Sequence, residues 1–147
     1  MNRISIICLG VRDIVKSMEF YKNLGFKTYE TDDRPPVVFF DNQGSKLELF
    51  PLEELAKDIN QAAPPALSLH GFGGFTLACN FKSEQEVDDF LLKAEQCGGL
   101  VVKKAQKVFW GGYSGYFQDP DGYYWEAAYA PGLELDEHDM PVIKSGS

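Results

Sequence analysis

Two glutamates, each four residues after a glycine and each alone in an apolar stretch, are the residues best placed to do chemistry. Glu126 ends the run Asp119-Pro120-Asp121-Gly122-Tyr123-Tyr124-Trp125-Glu126, and Glu48 ends a weaker copy, Asn42-Gln43-Gly44-Ser45-Lys46-Leu47-Glu48. Strand alternation puts each acid on the face opposite its apolar neighbours, Leu47 and Leu49 for one, Trp125 and Ala127 for the other. Two carboxylates in a sheltered cleft can share a proton, serve as a general base, or hold a ligand amine. The residues alone leave these roles open, and a strand with one wet face would also carry such acids. Trp110, Tyr113 and Tyr116 flank a Gly-rich turn. Their area and polar tips suit ligand stacking, and they suit ordinary core packing equally well. Asp119 to Gly122 reads first as a turn, with Pro presetting φ and Gly taking positive φ.

The elements that must position these residues repeat. Ile4 to Val11 is an apolar, β-branched strand. Asp13 is a candidate N-cap, Ile14, Met18 and Tyr21 recur at helical spacing, and Gly25 supplies the stop. Lys27 to Thr31 reads as a strand, and Asp32 to Pro36 as a loop. Val37 to Asp41 and Lys46 to Phe50 form a hairpin, followed by a short helix from Glu53 to Ile59. Gln61 to Gly74 carries two prolines and three glycines and reads as a connection. The order then restarts with a strand from Phe75 to Phe81 and a capping box in which Ser83 and Glu86 bond each other's amides. Val87, Phe90, Leu91, Ala94 and Cys97 form the buried stripe of the second helix, ended by Gly98 and Gly99. A strand from Leu100 to Val108 and the Trp110 to Tyr129 hairpin close the second half. The tail from Pro131 reads as acidic and partly loose. Each half is strand, helix, three strands.

The 147 residues, 44% of them hydrophobic, support a folded core. The formal charge of −8 speaks against nucleic acid and anionic membranes as partners. It suits a small organic molecule, cationic or aromatic. Arg12 and Asp13 follow too soon for a signal peptide, and no apolar run reaches spanning length, so the cytoplasm is the expected compartment. Cys8, Cys79 and Cys97 are too scattered for a disulfide framework or a CxxC metal site and read as buried free thiols. No phosphate-binding loop and no nucleophile motif is present, and of the two histidines, His70 reads as a loop residue.

The pieces Gly10-Val11-Arg12-Asp13, Ser17 with Phe20-Tyr21, Leu24-Gly25-Phe26, and Asp119 through Glu126 resemble the vicinal oxygen chelate superfamily. That superfamily includes glyoxalase I, bleomycin and fosfomycin resistance proteins, and extradiol dioxygenases. The resemblance covers roughly residues 3 to 130. It implies an α+β fold in which two βαβββ modules, residues 3–60 and 74–130 joined by a linker at 61–73, form one domain with a curved eight-stranded mixed sheet around a cavity. It implies a homodimer too, with modules pairing within one chain or across two. Metal-dependent members ligate through the first and last strands of each module. The last-strand acids match Glu48 and Glu126; the first-strand positions fall at Ile6 or Cys8, and at Phe75 or Thr76, none of them histidine. Catalytic transition metals need about three protein ligands, so no metal and no cofactor is expected. The leading expectation is a metal-independent binder with Glu48, Glu126, Trp110, Tyr113, Tyr116, Phe75, Ile6 and Cys8 around its ligand. The alternatives are a glyoxalase-related lyase or isomerase, or a dioxygenase-like enzyme, using the glutamates as base or partial metal ligands, and a structural module with a vestigial cavity.

Overall fold

The fold follows from two stretches of chain that each build a sheet covered by a helix. The computed structural model describes residues 1–68 and 71–146, so His70 lies outside the described residues. The chain divides into two units, Met1–Gly74 and Phe75–Ser147.

The first unit runs β1 (Ile6–Val11), α1 (Ile14–Leu24), β2 (Val38–Phe39), β3 (Lys46–Pro51) and α2 (Leu52–Ile59). Asp13 caps α1 by accepting from the amides of Val15 and Lys16, both at 3.1 Å, and Gly25 ends it at φ 121°. The sheet order is β1-β3-β2, with β1 parallel and β2 antiparallel to β3. Leu9, Val11, Val38, Leu47 and Leu49 bury their side chains with Tyr21 and Phe40. Tyr21 packs edge-on against Phe20, Phe26 and Phe40.

The second unit runs β4 (Leu77–Phe81), α3 (Glu84–Gln96), β5 (Leu100–Lys107), β6 (Tyr113–Gln118) and β7 (Tyr124–Tyr129), in sheet order β4-β7-β6-β5. The helix buries Val87, Leu91 and Ala94. Its Phe90 lies edge-on to Phe117, which stacks on Trp125 with ring centroids 6.1 Å apart. A Cβ at Gly115 would stand 2.7 Å from both Leu91 Cδ1 and the Lys103 carbonyl oxygen, and 2.8 Å from the Ala105 amide nitrogen. Only glycine admits α3 and β5 that close, and β5 breaks register on both sides of Lys103 there.

The α+β class holds, and several expected elements change. The described strands number seven, in sheets of three and four, not eight. Residues 27–31 form no strand because side chains take over the bonds a ladder would use. Thr28 Oγ1 donates to the Phe39 carbonyl at 2.7 Å and accepts from the Glu30 amide at 3.2 Å; the Glu30 carboxylate accepts from the amides of Thr31 and Asp32. β2 shortens to two residues. The strand expected from Phe75 begins at Leu77, after Gly74 at φ 85°. Ser83 accepts from the Glu86 amide at 3.2 Å, but the Glu86 carboxylate accepts from Lys82 at 2.7 Å, one residue before the expected amide. The three cysteines are free but only half-buried. The tail is a small hairpin, not a loose end: Leu135 bridges Pro141, and the amides of His138 and Met140 donate to Asp136. Those two donors hold the Asp136 carboxyl below its ordinary range.

Candidate functional site

Each acid is delivered by the same device. Asn42 stabilises the first hairpin tip: its side chain accepts from the Leu47 amide at 2.9 Å and donates to the Ser45 carbonyl at 2.7 Å. Asp119 does the same in the second, accepting from the amides of Asp121 and Tyr123 at 2.9 Å. Gly44 at φ 78° and Gly122 at φ 86° complete the turns. The returning strands then carry Glu48 and Glu126, each half-buried between buried apolar neighbours.

In the first unit Glu48 stands in register between Cys8 of β1 and Phe39 of β2. The Cys8 thiol stands beside the Glu48 carboxylate. Burial first, then the charge and acceptor oxygens of Glu48, then Asp58 of α2, push the thiol from 9.0 to about 12. Ile6 and Phe39 remain 46% and 49% exposed, so the acid lies in an apolar surface open to a ligand. Gly10, two residues from Cys8 and therefore on its face, packs under Leu52 and Leu55 of α2. That contact brings Asp58 into range.

In the second unit Glu126 stands in register between Ala78 of β4 and Tyr116 of β6. The Tyr116 phenol stands beside Glu126, and burial first, then the charge and acceptor oxygens of the acid, raise its pKa. Lys103, directly across from Tyr116 on β5, sits with Nζ 5.9 Å from the Tyr116 ring centroid. The two rows match: aromatic, acid, small residue, as Phe39–Glu48–Cys8 and Tyr116–Glu126–Ala78.

The remaining expected residues do not join these rows. The first-strand neighbour of Glu48 is Cys8, with Ile6 two residues along the same face, and that of Glu126 is Ala78, not Phe75 or Thr76. Phe75 precedes β4 and packs against Tyr123 with centroids 5.7 Å apart. Tyr113 lies on the face of β6 opposite Tyr116, and its phenol donates to Asp88 of α3 at 2.8 Å. Trp110 is half-exposed and lays its ring over Gly112. Phe39, Ala78, Asp58 and Lys103 went unrecognised. Strand pairing would have found Phe39 and Ala78 once the register was known; the β5 irregularities hid Lys103.

Beside Glu48 stands one thiol and beside Glu126 one phenol, and among the described residues no group of three or more His, Cys, Asp or Glu meets. No described helix is long and apolar enough to cross a membrane.

The family model for the Glyoxalase/Bleomycin resistance protein/Dioxygenase superfamily matches residues 3–127. The chain belongs to this superfamily. Among solved structures of the superfamily's fold, a glyoxalase-related enzyme from Fulvimarina pelagi is 25% identical, covers 99% of this chain and 100% of its own, and superposes with a TM-score of 0.86. A glyoxalase/bleomycin resistance protein/dioxygenase family enzyme from Burkholderia phytofirmans PsJN is 20% identical over 86% of this chain and 98% of its own, at 0.70. Lactoylglutathione lyase from Agrobacterium tumefaciens is 22% identical over 91% and 99%, at 0.65. These last two carry the fold alone. No curated protein matches the chain.

Proposed function

We propose that this superfamily member binds a small organic molecule without a metal, through Glu48 on the open face of the first unit and Glu126 on that of the second. The observation that supports this is the repeated aromatic–acid–small triplet. A carboxylate beside an exposed ring attracts a cation that can also face the ring, so a cationic ligand fits the Phe39–Glu48 row, and an aromatic one fits the second row, where Lys103 already faces the Tyr116 ring. The small residue on the other flank leaves room for it. Ile6 and Cys8, on the Glu48 face, are lesser candidates for ligand contact, and the assembly proposed is a cytoplasmic homodimer.

A second reading, a glyoxalase-related lyase or isomerase, draws on the placement of Cys8 and Tyr116 beside the two acids. Neighbouring proton donors of this kind can orient a carboxylate as a general base. Thermal shift with cationic and aromatic compounds, on wild type, Glu48→Gln and Glu126→Gln, with and without divalent metal, separates the two. A ligand at a hundred times its Kd stabilises by about 2.7 kcal/mol, or roughly 5–11 °C for a chain of this size. Stabilisation without turnover, lost in either variant, is the expected result. Turnover lost in either variant would favour the enzyme, and no response from any compound would refute binding.

A further inference from the structure

The second unit holds a pocket of about 370 Å³ at the end of β5, lined among others by Lys82, Glu84, Lys107, Gly112, Tyr113 and Tyr129. It is not the Glu126 face. Tyr113 and Tyr129 oppose each other in register on the side of the sheet that carries α3, as the Tyr113–Asp88 bond confirms, whereas Glu126 and Tyr116 point to the other side. We infer that this pocket is a separate binding site for a small planar carboxylate, an aromatic acid of benzoate size.

Its walls are preformed. The Tyr113 phenol is fixed on Asp88 at 2.8 Å. The 108–112 loop is closed by two backbone bonds, Val108 amide to Gly112 carbonyl and Gly111 amide to Val108 carbonyl, both 3.0 Å. Gly112 is buried under the Trp110 ring, which any Cβ there would strike. Tyr113 and Tyr129, opposed in register, both bring aromatic rings to the lining, and a pocket of this volume takes a single-ring molecule.

Two lysines supply the charge. Lys107 pairs with Glu84 at 2.9 Å and Lys82 with Asp139 at 2.8 Å. Both ammoniums are well exposed, and each has three donors of which the ion pair takes one. Exposed pairs of this kind contribute little, so a bound carboxylate can take up the remaining donors or displace Glu84 at little cost. The acids nearby are each already bonded, Asp88 by Tyr113, Glu84 by Lys107 and Asp139 by Lys82. A cationic ligand would have to break one of those contacts and face both ammoniums.

Benzoate titration tests this, read by tryptophan fluorescence, since Trp110 packs on Gly112, which lines the pocket, while Trp125 is buried, and by calorimetry. Saturable binding is expected, weakened at least roughly tenfold in Lys107→Glu and tightened in Glu84→Gln, which frees Lys107. The opposite signs exclude a general folding defect. Trp110→Phe should lose the fluorescence change while calorimetry still records binding. Inorganic phosphate should compete weakly, having charge without a ring. Absence of saturable benzoate binding, or equal affinity in wild type and Lys107→Glu, would overturn the site. Loss of benzoate binding in Glu126→Gln with no effect of Lys107→Glu would also overturn it, placing the acid on the other face.

Discussion

The contact between Cys8 and Glu48 makes the thiol a reporter of the first row. Its pKa moves from 9.0 to about 12. At pH 8 the thiolate fraction is then roughly a thousandfold below that of an ordinary thiol. A more basic thiolate attacks faster, and a Brønsted slope of about 0.45 recovers roughly twentyfold of that loss. Exchange of Cys8 with a small neutral disulfide should thus run about 50 times slower than that of a model peptide thiol. Peptide mass spectrometry, residue by residue, gives the rate. The log rate should climb with pH past 10, where a model thiol has levelled off near its own pKa. Glu48→Gln removes the second and third causes of the shift but leaves burial, the first. Its Cys8 should react several-fold faster than in wild type at equal exposure. Identical rates in the two proteins, or a wild-type rate plateau near pH 9, would refute the placement of Glu48 beside Cys8.

Stability should fall in alkali: Cys8 at about 12 and Cys79 at about 11 keep protons in the folded state that the unfolded state gives up near 9.0. Their contribution is complete below the unfolded value and lost as pH rises through the folded ones, so the thermal midpoint should decline above pH 9, less steeply in Cys79→Ala. Gly115→Ala should destabilise by about 1–3 kcal/mol, because two of the three atoms its methyl meets are backbone and cannot rotate away; a midpoint lower by roughly 3–10 °C is expected in calorimetry. Gly132→Ala, with nothing within 4 Å, should leave the midpoint unchanged. Asp13→Ala should cost about 1 kcal/mol in chemical denaturation, and Asp13→Asn, which keeps the cap, much less.

Local chemistry was legible wherever one residue type decides the outcome. Asp13, Gly25 and Ser83 mark helix ends in the sequence and in the structure alike. The Gly44–Glu48 and Gly122–Glu126 spacings announced two turns that each hand an acid to a returning strand. What sequence periodicity could not carry was competition from side chains. Thr28 and Glu30 satisfy the backbone around residues 28–32, and the expected strand dissolves there. Register was equally hidden. The neighbour of Glu126 is Ala78 because β4 starts two residues later than its aromatic content indicates. Tyr113 and Tyr116 look equivalent in the sequence, yet their odd separation of three puts them on opposite faces of β6. The Glu126 partner could have been chosen by that parity.

In both units the glutamate rides on an interior strand, paired on both edges: β3 lies between β1 and β2, and β7 between β4 and β6. Deleting either would split its sheet into pieces, so backbone drift is poorly tolerated there. The flanking residues Phe39, Cys8, Tyr116 and Ala78 sit on the strands to either side. A lineage can therefore retune what the acids meet by exchanging flanking side chains, while the carboxylates themselves stay anchored on the interior strands of the scaffold.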